Sequence, residues 1–298
     1  MAEELVRLAD DYYSIRGDLR IGGLLNVGTQ ASLVRLASGD FVFLDSYTLP
    51  DAIRSEIDAL TDDGKKVKAI LNLHPYHTLH CEWMHRAFPQ AKLYGTARHL
   101  EHLHDLPWES LRCEDDALAQ RYADDFAFSV PRGVTLVSDD ESVHFSSVLA
   151  LHRASGTVHV DDTFVYLRKG FPLSLLPFTG RFGFHPTLAK ALEPRAGAAD
   201  EFREWAIELG IDWADAGCIA AAHNALLPLD AEELPELLSR LRLVPAVLKR
   251  RPRRPGLDHV SPGLVLGPGT GEPLNLTIPL LWQGNHAPQV ASWAVGAK

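Results

Sequence analysis

Three histidines lie close together in residues 71–80, which read LNLHPYHTLH. His74, His77 and His80 directly follow an apolar run that is typical of a buried strand. Neutral imidazole is a common ligand of zinc and similar metals, and a loop at a strand end can bring several imidazoles together. The segment therefore predicts a metal site, with a histidine-rich exposed turn as the alternative.

Further candidate ligands lie at other predicted strand ends. We expect His144 to open a strand and Asp161 and Asp162 to close the next one, with Asp162 lying 18 positions after the histidine. A hairpin of that length returns the two acids to the level of His144. Adjacent acids at the end of an apolar strand are either exposed by a turn or balanced by a cation. His223 follows the apolar run CIAAA and is either a ligand or a hydrogen-bonded structural residue.

The elements that must position these residues follow from the apolar pattern and the turn residues. We predict strands over residues 16–21, 31–36, 41–44, 67–73, 92–94, 134–137, 143–151, 157–167 and 218–222. Helices are predicted from Pro50 to near Gly64, over residues 80–88, after Thr96, around residues 202–209 and over residues 231–243. Residues 105–128 are predicted to be irregular, and residues 170–187, rich in Gly, Pro and Phe, to form a loop or lid.

Composition limits the class of protein. With 46% hydrophobic and 23% charged residues, the chain of 298 residues has enough apolar material for a folded core. The net charge of −10 argues against a general affinity for nucleic acid or anionic membranes. Three widely spaced cysteines, no secretory leader and no long apolar run favour a cytoplasmic protein that does not span a membrane.

The order of predicted elements indicates one layered α/β domain over residues 1–244. Near residue 245 the composition shifts, because KRRPRRP at residues 249–255 is followed by frequent Gly and Pro. We expect residues 245–298 to form a separate C-terminal extension.

The order of the polar residues resembles the metallo-β-lactamase superfamily, from about residue 15 to residue 228. In that family a strand-end Asp is followed by an H-x-H-x-D-H loop, a later His, a strand-end Asp and a last His. The resemblance implies a four-layer αββα sandwich. It also implies that Asp45, which ends the strand FVFL, braces the site and does not bind metal.

The resemblance carries over to individual metal ligands. His77 and His80 keep the spacing of the second and last loop histidines, and the later residues match at His144, Asp162 and His223. The first loop histidine would fall at Pro75, so His74 is the substitute. The loop acid falls at Leu79, which can neither bind a cation nor act as a base. The implied ligand set is His74, His77, His80, His144, Asp162 and His223.

The resemblance implies a metal-dependent hydrolase that uses a metal-bound hydroxide on a small ester, lactone, thioester or similar bond. Zinc, as one or two ions, is the expected metal, with iron or manganese as further candidates. The expected partner is a small-molecule substrate. Because Leu79 removes the loop acid, the base is either the metal-bound hydroxide itself or a nearby side chain, with Asp161 and His185 as candidates.

Two other functions stay open. The same ligands on the same fold could hold iron for a non-haem oxidoreductase. Alternatively, Pro75 and Leu79 mark a decayed site, which leaves a non-catalytic binding protein.

Overall fold

The computed structural model describes residues 3–18, 20–21, 25–26, 28–166, 182–221 and 225–240. Within these ranges the strands form two large mixed sheets and two short hairpins. One hairpin consists of β3 (Arg20–Ile21) and β4 (Leu25–Asn26). The first large sheet contains β1 (Glu4–Ala9), β2 (Tyr12–Gly17), β5 (Thr29–Arg35), β6 (Phe41–Leu44), β7 (Val67–Leu71) and β8 (Lys92–Tyr94), in the order β1-β2-β5-β6-β7-β8.

The second half of the first sheet is parallel, which brings several strand ends to one edge. β6, β7 and β8 run parallel, and Leu44, Leu71 and Tyr94 are aligned across the three strands. Helix α1 (Asp51–Thr61) connects β6 to β7, and α2 (Cys81–Ala87) connects β7 to β8. Parallel strands require such crossovers. The residues after β6 and β7 therefore emerge together at the carboxyl edge of the sheet.

The second large sheet has the order β15-β14-β11-β10-β9. Its strands are β9 (Phe126–Ser129), β10 (Leu149–His152), β11 (Thr157–Val160), β14 (Cys218–Ala221) and β15 (Ala225–Pro228). β10 and β11 form an antiparallel hairpin, whereas β11 and β14 are parallel and end together at Val160 and Ala221. The second hairpin pairs β12 (Phe164–Tyr166) with β13 (Phe182–Phe184). The remaining helices are α3 (Ala97–His102), α4 (Asp116–Arg121), α5 (Leu188–Ala191), α6 (Ala198–Asp212) and α7 (Glu233–Arg240).

Three apolar clusters define four layers. The first joins α1 and α2 to the outer face of the first sheet through Ile53, Ile57, Met84, Phe88, Leu33, Phe43 and Ile70. The second lies between the two sheets and contains Val34, Val42, Leu71, Phe126, Val148 and Ala150. The third joins the second sheet to α6 and α7 through Leu149, Val158, Ile219, Phe202, Trp205 and Leu238. This α-β-β-α order is the four-layer sandwich predicted from the sequence.

The local pattern explains the best-predicted helix. Ile53 and Ile57 are four residues apart on α1 and both are buried, as an amphipathic helix requires. The helix begins at Asp51, one residue after Pro50, and ends where Asp62 adopts a left-handed conformation with φ of 56°.

Several predicted elements are wrong. Residues 134–137 form no strand and make one isolated bridge, between Val134 and Leu192. Of residues 143–151, only the end belongs to β10, because Ser147 donates its backbone N–H to the Thr163 hydroxyl and Val148 to the Leu73 carbonyl. The stretch predicted to be irregular contains α4 and β9, and β1 and β15 were not predicted.

Two further predictions concern residues that are only partly described or not described. Of the loop predicted at residues 170–187, only 182–187 are described, and residues 182–184 of it form β13. The extension predicted at residues 245–298 lies outside the described residues. Among the helices that the structure describes, none is both long and apolar enough to cross a membrane.

Replacing a buried isoleucine of α1 should weaken the fold. Ile57 is fully buried, so Ile57→Ala removes packed methyl groups and should lower the free energy of unfolding by about 2–5 kcal/mol. Urea denaturation followed by circular dichroism measures the change.

Ile211→Ala on α6 is the matched control, because Ile211 is 67% exposed and should change stability by less than about 0.5 kcal/mol. Equal effects of the two substitutions would contradict the assignment of Ile57 to the core.

Candidate metal centre

Asp45 holds the start of the histidine-rich loop. It directly follows β6, has a φ of 60° and is 1% exposed. Its Oδ1 atom accepts backbone N–H groups from Leu73 at 2.8 Å and from His74 at 3.4 Å. Its Oδ2 atom lies 2.9 Å from Nε2 of His159 on β11. Asp45 therefore links the loop after β7 to the second sheet.

Asp162 lies between two of the candidate histidines. Its Oδ2 atom is 3.4 Å from Nε2 of His74 and 3.7 Å from Nε2 of His144, and the residue is 3% exposed. These separations exceed ordinary hydrogen-bond lengths. Two ligands that are each about 2.1 Å from a tetrahedral cation lie about 3.4 Å apart, so the spacing fits a shared metal ion.

His74 is buried and held by backbone groups on both sides of its ring. Tyr76 donates its backbone N–H to Nδ1 at 3.2 Å, and Nε2 lies 3.2 Å from the carbonyl oxygen of His144. Burial, with a smaller contribution from His77, lowers the pKa of His74 to about 3, so the imidazole is neutral. Coordination of a cation through Nε2 would replace the contact with His144, and a ring proton on Nδ1 would also break the hydrogen bond from Tyr76.

His77 stacks on His74 with the ring centroids 4.0 Å apart, and it faces Asp161. Its Nδ1 atom lies 3.8 Å from Oδ2 of Asp161. Donor atoms of His74, His77 and Asp162 lie within 4.8 Å of one another, and so do donor atoms of Asp45, His77 and Asp161. His77 is the residue that the two groups share.

His80 lies away from this arrangement. The Nδ1 atom of His80 is 2.9 Å from the hydroxyl of Thr48, and the imidazole ring packs against Tyr47 at 5.1 Å. Burial, followed by the charge of His77, lowers the pKa of His80 to about 4. Its described contacts are thus with Thr48 and Tyr47 and not with Asp162. His223 lies outside the described residues, so its assignment as a ligand stays a prediction.

His159 is a central residue that the sequence analysis missed. It is fully buried in β11, with Nδ1 at 2.9 Å from the hydroxyl of Ser32 and Nε2 toward Asp45. Burial would lower its pKa, but the neighbouring carboxylates of Asp161 and Asp45 raise the pKa to about 9. Asp161 directly follows β11 and lies two positions after His159, which is the spacing of side chains on one face of an extended chain. The sequence TVHVDD contains that spacing, from which His159 could have been recognised.

Asp161 is buried among these groups. Both of its carboxylate oxygens are shielded from solvent and have no hydrogen-bond partner among the described residues. Burial opposes its ionisation, yet the imidazoles of His77 and His159 beside it hold the pKa of Asp161 well below its usual range. Burial and the nearby charge of Asp161 raise the pKa of Asp45 to about 7.

Two buried side chains of the first sheet fix the ends of β11 and β14. Gln30 donates through Nε2 to the carbonyl of Val160 at 2.8 Å and to that of Ala220 at 2.9 Å. Arg16 donates to Oε1 of Gln30 at 2.7 Å and to the carbonyl of Ala221 at 3.1 Å. These bonds fix the carboxyl end of β11, which leads into Asp161, and the last described residues of β14.

His185 borders the cluster. It is 5% exposed, and its ring centroid lies 5.1 Å from that of His144. Its Nδ1 atom is 2.8 Å from the hydroxyl of Thr187. Leu79, in contrast, is 74% exposed.

Comparison with solved structures identifies this arrangement of layers. The chain superimposes on DIM-1 metallo-β-lactamase with a TM-score of 0.51 and 11% identity, over 80% of this chain and 97% of that one. For a metallo-β-lactamase from Erythrobacter litoralis the TM-score is 0.50 and the identity 16%, over 80% of this chain and 96% of that one. For a metallo-β-lactamase from Pontibacter korlensis the TM-score is 0.50 and the identity 10%, over 80% of this chain and 100% of that one. The chain has the metallo-β-lactamase fold.

The likeness to these proteins is one of fold, because the identities are so low. No protein-family model matches the chain, and a comparison with curated proteins finds no match. The metallo-β-lactamase fold accounts for the meeting of the strand ends that carry Asp45, the histidine loop and Asp162.

The buried position of His159 makes stability depend on pH. Its pKa is higher in the folded chain than the ordinary 6.5, so its stabilisation is complete below pH 6.5 and is lost as the pH rises through about 9. In metal-free protein the free energy of unfolding should fall by roughly 3 kcal/mol across that window. Urea denaturation at a series of pH values in the presence of a chelator measures it.

The comparison variant is His159→Gln, which keeps hydrogen-bonding capacity but does not titrate. Its stability should change much less between pH 6.5 and 9. Parallel pH profiles for the variant and the wild type would show that His159 does not carry the dependence.

Proposed function

We propose that the protein is a metal-dependent hydrolase that acts on a small ester, lactone, thioester or similar bond. One observation carries the proposal. Imidazole and carboxylate groups converge, at separations that suit shared coordination, where the strand ends of a metallo-β-lactamase fold meet. The fold alone would also suit a binding protein, and the chemistry of these side chains is what supports an enzyme.

The donor set suits zinc, with iron or manganese as the next candidates. When bound, such a cation lowers the pKa of a water molecule to near 7 and polarises the substrate carbonyl. His74, His77 and Asp162, whose donor atoms lie within 4.8 Å of one another, would hold it, and His144 would join them from its position 3.7 Å from Asp162. Asp45 keeps the loop in place through its bonds to the backbone of Leu73 and His74.

The residue that donates a proton during the reaction must be one other than Leu79. Leu79 carries no titratable group. We assign protonation of the leaving group to His185, because its ring adjoins that of His144 and Thr187 fixes its Nδ1 side.

We further propose a reducing, cytoplasmic setting and a small-molecule substrate. Cys81, Cys113 and Cys218 are free cysteines, which suits that compartment. The acidic net charge of −10 makes a polyanionic substrate a poor fit.

The direct test measures metal and hydrolysis together. Tag-free wild-type protein should retain about one or two zinc ions per chain after dialysis, by elemental analysis. It should also hydrolyse a member of a panel of p-nitrophenyl acetate, γ-butyrolactone and an N-acetylcysteamine thioester. His77→Ala combined with Asp162→Ala should lose the metal and at least about a hundredfold in kcat/KM, because both changes remove candidate ligands.

The matched control is His104→Ala, which removes an exposed histidine paired only with Asp105 in the described contacts. It should keep wild-type metal content and rate. Wild-type protein that binds no metal after reconstitution, or a double variant that keeps it, would overturn the proposed function.

A further inference from the structure

We propose that Asp161 is a metal ligand, and that it supplies from the end of β11 the carboxylate that the histidine loop lacks at Leu79. This inference rests on the proposed function, because it assigns one more ligand to the same centre. It concerns a residue outside the ligand set inferred from the sequence.

The first argument is the lack of hydrogen bonds to a buried anion. Asp161 is fully buried, and neither carboxylate oxygen has a donor among the described residues. A buried carboxylate without hydrogen-bond donors carries a large desolvation cost, which a bound cation would offset.

The second argument is distance. Oδ2 of Asp161 lies 3.8 Å from both Nδ1 of His77 and Nε2 of His159. Nε2 of His159 already donates to Asp45 at 2.9 Å, and one N–H cannot serve both acids well. The separation from His77 is too long for a hydrogen bond and is close to the ligand–ligand distance of about 3.4 Å around a tetrahedral cation.

The third argument is charge. Asp45, Asp161 and Asp162 are all at least 97% buried. A divalent cation would supply positive charge to three carboxyl groups that are buried in one cluster.

The fourth argument explains why the acid comes from a different strand. Leu79 is 74% exposed, so position 79 faces solvent and not the buried cluster. An acid at that position would be solvated, whereas Asp161 approaches His77 from the opposite sheet.

The experiment compares zinc affinities, measured by competition with a chromophoric chelator, for substitutions at positions 161 and 79. Asp161→Asn and Asp161→Ala should each raise the Kd for zinc at least tenfold, because neither side chain provides a carboxylate. Leu79→Asp should leave the Kd unchanged in the wild-type background and should not restore binding to Asp161→Asn. Asp139→Asn, at an exposed acid, is the matched control and should bind zinc as the wild type does.

The asparagine variant separates a ligand from a residue that only orients His77. Asparagine still accepts a hydrogen bond through its side-chain oxygen, so an orienting role predicts wild-type affinity for Asp161→Asn and a loss only for Asp161→Ala. That result would overturn the proposal, and so would wild-type affinity in both variants.

Failure of this inference can be told apart from failure of the proposed function. If Asp162→Asn weakens zinc binding and Asp161→Asn does not, the proposed function stands and the role of Asp161 is refuted. If wild-type protein binds none of zinc, iron and manganese, both are refuted. Thermal melting of the metal-free proteins checks folding of each variant.

A structure of zinc-loaded wild-type protein gives a readout that needs no variant. An oxygen of Asp161 within about 2.2 Å of the ion would support the assignment. A bound zinc ion beyond the reach of both oxygens would overturn it.

Discussion

The hydrogen bond from His159 to Asp45 is the interaction on which the site depends. It joins the two sheets at 2.9 Å, inside the core and at the edge where the strand ends meet. The other oxygen of Asp45 receives the backbone of the histidine loop. One carboxylate therefore fixes the loop after β7 relative to β11, which leads directly into Asp161 and Asp162. Burying these two groups costs desolvation free energy, which offsets part of what the contact adds to stability. Its main effect is therefore to fix the position of one sheet relative to the other.

The apolar layers and the buried polar contacts have separate roles in this protein. The three clusters stack helices and sheets, and they would tolerate small shifts of one layer against another. The bonds from Gln30 and Arg16 to the ends of β11 and β14 remove that freedom, because they need defined carbonyl positions. A metal centre requires ligand positions fixed to a fraction of an ångström, and the polar contacts between the sheets provide that constraint.

The sequence predicted the features of the fold that depend on the local pattern of residues. The spacing of Ile53 and Ile57 indicated α1, and the order of acids and histidines indicated the layered fold. It could not place His144, because Ser147 and Val148 bond to Thr163 and Leu73, which are distant in sequence. Nor did it single out His159 between apolar residues, because its partners Ser32 and Asp45 come from the other sheet. Contacts between sheets leave little trace in the pattern of a single strand.

The central claim is that histidine and aspartate side chains from the two sheets hold one metal centre. X-ray absorption at the zinc edge of metal-loaded wild-type protein tests it most directly. The account predicts a shell of nitrogen and oxygen ligands at about 2.0–2.1 Å, with the outer-shell signal of at least two imidazoles. A shell of water oxygens alone, or one that contains cysteine sulfur at about 2.3 Å, would contradict it.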